Sequence, residues 1–593
     1  MILCGSILEG LLLGAALRDP TSFNSASCSP KDKNGKVKPF QKWSLDFIDI
    51  VSTLVPIESE LLLVRQIPMT TRSHFFVLQC GMVLFFAVFF SSRCFGQLLN
   101  NDSVRDVDLH AGRVLADWID QKSQAHWDQE GVAAPIQVDD ATFLRRLYLD
   151  LTGTIPSVAT AREFLESTDP YKRDIAIEVL LKEPRSAEHL ARVWRRMIVP
   201  TGTPNEPMGE SIEPWLKDQF ARNVPYDEFA KTLLTVKTAD ASDPSKPYAS
   251  SAIMFYQAAG GNAEGAADSA TRFFLGIRLG CAKCHNHPFA KWKQEDFWGM
   301  AAFFAGVQNG NVEDSPRTTI RPQDSETEYA ARLLWEEDTK IDGAMPRIVF
   351  ADWVVSEHNP NFAATAVNRV WQHLNGRSLA GTVDDLDQAD AEQRAILLDG
   401  LAKEFVNSKY DLRHLISAIC RSKSYQCSTV SPEQLGGQLK IADVRPVKTL
   451  SPEQVFDAME QALMLPVGRT DNAARFNGQR VAIVSRMNEA FSDTPEDFSA
   501  GIPQALMMMN GTLISEATDL QTSRTLRAVV DAPFLKDEDR LETLFLATLT
   551  RRPSAREKEV LLASVNVEGA DHGTVFADIM WALLNSPEFV LSR

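Results

Sequence analysis

The sequence predicts a mainly α-helical protein, with two helical domains joined by a polar, partly irregular linker. Apolar residues recur at roughly every 3.6 positions in successive segments, which is typical of helices with one buried face. Residues that favour helix starts and stops stand at the ends of these segments. A long polar and acidic stretch separates two groups of them. The chain has 593 residues, 44% of them hydrophobic, so it is long enough to form more than one packed unit.

The predicted first domain covers residues 107–310. Its opening segment, "VRDVDLHAGRVLADWIDQK", carries the helical period. In "DDATFLRRLYLDLTG", Asp139 or Asp140 is the expected N-cap and Gly153 the expected stop, and Pro156 begins the next helix. The pattern continues in "KRDIAIEVLLKEP", "SAEHLARVWRRMIV" and "DSATRFFLGIRLG". These segments predict a domain built almost entirely of helices.

Residues 311–344 are predicted to form the linker or an inserted loop, because this stretch is polar and lacks a helical period until its second half. A short hairpin is expected at "RTTI" within it. The predicted second domain covers residues 345–590. Its helical segments include "PRIVFADWVVSE", "PNFAATAVNRVWQHLNG", "AEQRAILLDGLAKEFVNS" and "LRHLISAICRSKSYQ".

The N-terminal region contains the pattern of a secretory signal. From Met69 the chain has a short basic start, an apolar run and a small-residue ending at Gly96, so residues 69–96 are predicted to be a cleaved signal peptide. Residues 1–68 are then an upstream extension from a mis-set start. The alternative is that Met1 is the true start and that the segment at residues 69–96 is a signal anchor. The apolar run is too short for a stable membrane span, and in both cases the bulk of the protein is exported to the periplasm or cell envelope.

The formal net charge of the chain is −17. Nucleic acids and anionic membranes favour basic surfaces, so no nucleic-acid partner is expected. An electron-transfer partner is expected to be basic. The sequence lacks a nucleophile elbow, a P-loop, a dinucleotide-binding glycine motif and an H-E-x-x-H zinc motif, so nothing supports a hydrolase or a nucleotide-dependent enzyme.

The candidate site is the string "CAKCHNH", in which Cys281, Cys284 and His285 form a C-x-x-C-H motif. This motif is typical of covalent haem c: two cysteines on one turn reach two vinyl groups, and the next imidazole becomes the proximal iron ligand. A second interpretation is a zinc site formed by Cys281, Cys284 and His287, with His285 or a remote group as the fourth ligand. A third is a disulfide between the two cysteines. The string alone leaves all three open.

The aromatic residues in "FAKWKQEDFWGMAAFFAG" could line a porphyrin or pack as ordinary core. Candidates for a sixth iron ligand are Met300, Met254 and His373, although each residue type is more often found in a core or on a surface. A five-coordinate iron is equally compatible with the sequence.

The second domain contains weaker candidates. The segment "NRVWQHLNGR" groups Asn368, Arg369, Trp371, His373 and Arg377. These residues could bind an anion. Alternatively, an Asn and an Arg of this group could tie two helices together.

Two further segments in the second domain are open to more than one interpretation. In the loop "TVDDLDQAD", Asp384, Asp385 and Asp387 could bind a calcium ion. The alternative is a solvated acidic loop without a ligand. Cys420 and Cys427 could form a disulfide if the helix breaks between them. The methionines of "MMMNG", residues 507–511, are expected to fill gaps in a core.

Several stretches together resemble a two-domain family expanded in planctomycete bacteria. They are "ATFLRRLYLDLTGTIPSVATAREFLES", "CAKCHNHPFAKWKQEDFWGMAAFFAG", "NFAATAVNRVWQHLNGRSLAGTVDDL", "PQALMMMNG" and "WALLNSPEFV". The family pairs a planctomycete-specific cytochrome-like domain with a companion planctomycete-specific domain of unknown function. The resemblance spans nearly the whole chain after the signal. It implies export and a redox or haem role at Cys281, Cys284 and His285, without implying a particular reaction.

The leading hypothesis is an exported protein with one covalent haem c, acting in electron transfer or another redox step with a partner protein of the cell envelope. The alternative is a structural or binding protein of the envelope. In this case the C-x-x-C-H-x-H cluster holds zinc or forms a disulfide, and the pair of domains recognises an envelope partner or a polysaccharide. A third hypothesis is a redox enzyme that acts on a large exported substrate in a cleft between the domains.

Overall fold

The computed structural model describes most of the chain after residue 106. The described residues are 107–131, 136–199, 209–287, 290–323, 325–336, 339–341, 343–429, 445–464, 480, 484, 514, 518–520 and 523–593. The signal peptide predicted at 69–96, the extension at 1–68 and the methionines at 507–511 lie outside these residues and stay predictions.

Helices dominate the described first half of the chain. They are α1 (Val107–Glu130), α2 (Asp140–Thr152), α3 (Val158–Glu166), α4 (Lys172–Lys182), α5 (Pro184–Ile198), α6 (Glu213–Ala221), α7 (Tyr226–Thr235), α8 (Ala249–Ala258), α9 (Ala263–Leu275) and α10 (Gln294–Ala302), with 3-10 turns at Glu210–Ile212, Thr238–Ser242 and Gly280–Lys283.

The described second half is helical as well. Its helices are α11 (Pro346–Val354), α12 (Phe362–Asn375), α13 (Ala391–Gln393), α14 (Asp399–Asn407), α15 (Leu412–Arg421), α16 (Lys423–Gln426), α17 (Pro452–Leu463), α18 (Arg524–Val530), α19 (Asp537–Leu549), α20 (Ala555–Val565), α21 (His572–Leu584) and α22 (Pro587–Val590), with a 3-10 turn at Leu386–Gln388 and a π-helical stretch at Arg394–Leu398.

Strands in the described residues are short and form antiparallel pairs. They are β1 (Val307–Gln308) with β2 (Asn311–Val312), β3 (Thr319–Ile320) with β4 (Tyr329–Ala330), and β5 (Lys448–Thr449) with β6 (Leu591–Ser592). The β3–β4 pair confirms the hairpin expected at "RTTI". The predicted fold class, mainly α, is also confirmed.

Local signals set the ends of α2. The Asp139 side chain accepts a hydrogen bond from the N–H of Thr142 at 2.8 Å, and Gly153 follows the helix with a φ of 71°. Both expectations for this helix are confirmed. The next helix begins at Val158 with Ser157 as its N-cap, and not at Pro156.

Two hydrophobic cores organise the described residues. The larger core takes buried residues from α1 to α15 and includes Trp194, Phe274 and Trp371. The smaller core is built from α17 to α22. Helix α2 belongs to both, because Leu147 packs in the larger core and Leu149 in the smaller one. The domain bounds 107–310 and 345–590 stay predictions.

Two arginines on α2 link it to distant backbone. Arg145 donates to the carbonyl oxygens of Thr548 at 2.8 Å and of Phe589 at 2.7 Å. Arg146 donates to the carbonyl oxygen of Cys427 at 2.9 Å. Because an arginine donates in several directions at once, these side chains satisfy buried carbonyl groups that no helix would satisfy.

None of the helices in the described part of the chain combines the length and apolar character needed to cross a membrane.

Candidate functional site

The C-x-x-C-H motif lies on a short turn after helix α9. This helix ends at Leu275, and Gly276 follows with a φ of 60°. A Cβ atom on residue 276 would lie 3.0 Å from the Cβ of Leu386, so glycine suits both the backbone conformation and the close approach. The helix predicted from "DSATRFFLGIRLG" therefore ends earlier than its apolar pattern suggests. A separate 3-10 turn, Gly280–Lys283, carries the first cysteine.

Cys281 and Cys284 are both exposed on this turn, and no disulfide joins them. Ala282 between them is buried, and its N–H donates to the carbonyl of Leu279 at 2.8 Å. The turn is thus anchored through its alanine, which leaves the two thiols exposed to solvent. The structure does not support the disulfide interpretation of this pair.

His285 is exposed beside the second cysteine, and its ring is oriented by the backbone. Its Nδ1 lies 2.8 Å from the carbonyl oxygen of Asn286. A carbonyl oxygen can only accept, so Nδ1 carries the proton and Nε2 keeps its lone pair. Metal-binding histidines commonly use this arrangement, in which one nitrogen donates to a carbonyl and the other binds the metal.

His287 is held in a different way. Its Nδ1 accepts a hydrogen bond from the N–H of Ala290 at 2.9 Å, and its own N–H donates to the carbonyl of Trp292 at 2.8 Å. The described residues contain no group of three or more His, Cys, Asp or Glu side chains that could hold a metal ion. The zinc cluster of Cys281, Cys284 and His287 therefore stays a prediction without support from this geometry.

Helix α10 closes the inner side of the turn. Trp298 Nε1 donates to the carbonyl of Lys283 at 3.1 Å, and Gln294 Nε2 donates to the same carbonyl at 3.1 Å. Phe297 and Trp298 are almost fully buried. The aromatic side chains here pack as core behind the turn, whereas the two thiols and His285 are exposed.

The three candidates for a sixth iron ligand are engaged inside the protein. Met300 is fully buried, and Met254 packs against the larger core. Nε2 of His373 lies 2.9 Å from the carbonyl oxygen of Asp150. None of these positions indicates a ligand, so a sixth ligand stays unassigned.

Asp268 on α9 supports the start of the turn. Its carboxylate accepts a hydrogen bond from the N–H of Gly280. Burial raises the pKa of Asp268, and nearby Arg272 and Arg278 oppose this rise. Sequence reasoning missed this residue, because an aspartate within a helix carries no sign of which later backbone group it will bind.

An acidic loop from the second half of the chain packs against the same turn. This Asp384 loop, residues 381–388, is joined to α9 by a hydrogen bond from the N–H of Leu386 to the carbonyl of Gly276 at 2.8 Å. Asp384 Oδ1 accepts from Arg369 Nη2 at 2.6 Å. Burial raises the pKa of Asp384, but Arg369 and Arg272 outweigh this effect and lower it.

The calcium hypothesis for the Asp384 loop has no support in this arrangement. The carboxylate of Asp384 is bound by arginines, and Asp387 lies 3.6 Å from Lys291 Nζ. Burial raises the pKa of Asp385, which forms no cluster of the kind that holds a metal among the described residues. The loop is fixed by ion pairs.

Asn368 and Arg369 tie structural elements together, which confirms the second interpretation of "NRVWQHLNGR". The Asn368 side chain accepts from the N–H of Leu379 at 2.7 Å and donates to the carbonyl of Ala380 at 2.8 Å. Arg369 is 2% exposed and donates through Nε to the carbonyl of Phe273 at 3.1 Å. Both side chains are committed to protein groups, so the anion-site hypothesis for this pair is wrong.

Cys420 and Cys427 are not joined by a disulfide. Helix α15 ends at Arg421 and Ser422 caps the next helix, so the expected break between the cysteines is present. Burial raises the pKa of both thiols, that of Cys427 to about 11. Neither thiol is therefore poised to react as a thiolate near neutral pH.

Two family models match the chain. Residues 118–309 match the model PSCyt2, described as a protein of unknown function (DUF1549), and residues 346–480 match the model PSD1, described as a protein of unknown function (DUF1553). No curated protein and no solved structure matches the sequence. The chain thus combines two domains of unknown function, as the resemblance implied. The C-x-x-C-H turn lies in the first matched region and the Asp384 loop in the second.

Proposed function

We propose that the protein is an exported c-type haem protein with a redox or electron-transfer role in the cell envelope. Cys281 and Cys284 would hold one haem through thioether bonds, and His285 would be the proximal iron ligand. The observation that carries this proposal is that the two thiols and His285 are all exposed within one short segment. Nδ1 of His285 donates to a carbonyl oxygen, which leaves Nε2 to bind iron.

The residues present fit this group. Both thiols are unbonded to each other, so each can add across one vinyl group. Covalently bound haem would supply one-electron exchange at its iron. The protein positions the C-x-x-C-H motif. Trp298 and Gln294 bind the carbonyl of Lys283, and the carbonyl of Asn286 orients the imidazole of His285. These contacts hold the motif rigid from the inner side.

The first matched family adds modest support, since its short name, PSCyt2, contains the usual abbreviation of cytochrome. Export rests on the signal pattern at residues 69–96 and is part of the same proposal. A haem on this face would be open to solvent on one side, which suits exchange of electrons with another protein more than chemistry on a small enclosed substrate.

The test is an intact mass and a visible spectrum of the protein expressed from Met69 in a host that matures c-type cytochromes. A mass gain of one haem that survives denaturation, together with loss of the residues before Gln97, supports the proposal. The variant Cys281→Ser with Cys284→Ser should gain no haem, whereas Cys420→Ser should load as well as the wild type. His285→Ala should change the spectrum of any haem that attaches.

A colourless protein of apoprotein mass would overturn the haem proposal. Metal analysis would then show whether the thiols hold zinc, and thiol counting would show whether they have formed a disulfide.

A further inference from the structure

An exposed tryptophan in an unusual backbone conformation lies near the C-x-x-C-H turn. Trp335 has a φ of 65°, and its side chain is 42% exposed. The left-handed region is unfavourable for a bulky residue, and such residues persist where the surrounding structure holds them. Burial does not account for this position, because Trp335 is an exposed residue.

Two other tryptophans hold the ring in place. The Trp335 ring centroid lies 6.2 Å from that of Trp292 at an angle of 63°, and 5.7 Å from that of Trp353 at 37°. The preceding residues, Leu333 and Leu334, are buried in the larger core. The turn therefore exposes part of an aromatic side chain whose ring contacts two other indole rings.

Trp292 connects this ring to the motif, since its carbonyl accepts the hydrogen bond from His287. Two charged residues lie near these rings. Lys291 Nζ lies 4.8 Å from the centre of the Trp292 ring and pairs with Asp387, and Glu336 is exposed next to Trp335. This region of the surface thus contains one exposed apolar ring with a basic and an acidic side chain nearby.

We infer that Trp335 is the stacking platform of a binding site for neutral polysaccharide. A pyranose ring has an apolar C–H face and hydroxyl groups around its rim, so the face can stack on the negative face of the indole while the hydroxyls reach Lys291 and Glu336. The inference goes beyond the proposed haem and does not depend on it. The proposed glycan would bind close to the C-x-x-C-H motif.

Other ligand classes fit this surface less well. The centres of protein interfaces are depleted of charged residues, whereas charged residues flank Trp335. Bases of single-stranded nucleic acid also stack on aromatic rings, but their phosphates need a basic groove, and this chain has a net charge of −17 with Glu336 beside the ring. The same carboxylate disfavours an anionic glycan.

The test is native affinity electrophoresis of the mature protein in gels that contain hydroxyethylcellulose, laminarin or galactomannan as neutral glycans, or alginate as an anionic one. The wild type should be retarded in at least one neutral gel. Trp335→Gly and Trp335→Asn, which both tolerate a positive φ, should weaken the retention by about tenfold. Trp335→Phe should keep most of it, because a planar ring remains.

Phe534→Ala removes another exposed aromatic ring, 79% exposed, and should bind like the wild type. The double serine variant of Cys281 and Cys284 should also bind like the wild type, so failure of the haem proposal and failure of the glycan proposal are told apart. Thermal unfolding of each Trp335 variant shows whether it is folded. Retention in no neutral gel, retention in alginate alone, or full retention by both Trp335→Gly and Trp335→Asn would overturn the inference.

Discussion

Asp150 is a buried carboxylate at the meeting point of the two cores. Its Oδ2 accepts from Tyr425 Oη and from Arg445 Nη2, each at 2.9 Å, and its Oδ1 lies 2.5 Å from Lys448 Nζ. Burial raises the pKa of Asp150, but Lys448 and Arg445 outweigh this and hold it well below its usual range. The charge is therefore kept in the folded protein, where its partners compensate for its removal from water.

His373 belongs to the same cluster and should make folding sensitive to acid. Burial, with the charge of Lys448, lowers the pKa of His373 to about 4. Between about pH 6.5 and 4 the unfolded chain binds a proton that the folded chain does not, so stability should fall as the pH falls, by up to about 1.4 kcal/mol per pH unit. Thermal unfolding midpoints measured from pH 7 to pH 4 would show this loss, and His373→Gln should reduce its slope.

An exposed histidine serves as the control for that measurement. His572 has a side chain that is 55% exposed, so His572→Gln should follow the wild-type curve. If the curve of His373→Gln coincided with the wild-type curve, His373 would not be the group that links proton binding to folding.

At the residue scale, the sequence predicted those parts of the site that are close together in the chain. Cys281, Cys284 and His285 are neighbours, so their spacing alone places them on one turn. The ion pairs of Asp384 and the position of Trp335 were not predicted, because both depend on contacts between distant segments. Asp384 contacts arginines of α9 and α12, and the Trp335 ring contacts two tryptophans from other segments.

At the level of elements, the end of α9 depends on a single glycine. Gly276 and Gly310 both have a positive φ, 60° and 77° respectively. A Cβ on residue 276 would meet Leu386 at 3.0 Å, whereas a Cβ on residue 310 would have nothing within 4 Å. The same substitution at the two positions therefore distinguishes the cost of backbone strain from the cost of steric crowding.

Gly310→Ala should cost roughly 1 kcal/mol from backbone strain alone, and Gly276→Ala should cost about 1–3 kcal/mol more because it also crowds the Asp384 loop. Urea unfolding followed by tryptophan fluorescence would measure both. Hydrogen exchange should rise around residues 276–280 and in the Asp384 loop in Gly276→Ala but stay unchanged in Gly310→Ala. Equal losses of stability in the two variants would show that the contact with Leu386 is unimportant.

Helix boundaries were predictable where the signal is local. Asp139 and Gly153 mark the ends of α2 because an N-cap and a left-handed C-cap need only neighbouring backbone groups. The end of α9 was placed too late because Ile277 and Leu279 continue the apolar pattern. Both are buried by packing outside the helix, which hydrophobic period alone cannot distinguish from burial on a helix face.

At the scale of the whole molecule, an ionic interface joins α5 of the larger core to α17 of the smaller one. Asp457 Oδ2 lies 2.6 Å from Arg192 Nη1, and Asp457 Oδ1 lies 3.1 Å from Arg480 Nη2. Glu453 lies 3.3 Å from Arg195 and 3.2 Å from Arg196. Basic side chains of α5 thus face acidic side chains of α17 at the boundary between the two cores.

Asp457→Asn should weaken the coupling between the cores, because it leaves Arg192 and Arg480 without their carboxylate partner. The expected cost is about 2 kcal/mol, less than for a fully buried pair, since both arginines are partly exposed. Differential scanning calorimetry should show the smaller core unfolding at a lower temperature than the larger one. Asp531→Asn, at a side chain that is 70% exposed, should leave the wild-type profile unchanged, and a single unshifted transition in Asp457→Asn would contradict the expectation.

The mainly α-helical fold class could be predicted from the sequence, because it follows from the hydrophobic period and the length of the successive segments. The arrangement of the cores could not. Leu333 and Leu334 lie in a stretch whose composition is polar overall, yet both are buried in the larger core. Likewise, Leu149 of α2 packs in the smaller core although Leu147 packs in the larger one, and no local pattern separates the two residues.

Because α2 packs in both cores, the time at which it can make its contacts depends on how much of the chain has been synthesised. Arg145 binds backbone carbonyls that lie 403 and 444 positions later in the chain. Loop closure over such separations is slow, and α2 cannot make these contacts until the later helices have been synthesised. Translation of the first matched region alone therefore leaves part of α2 exposed. The fold of this chain is therefore completed only after its last helices have been synthesised.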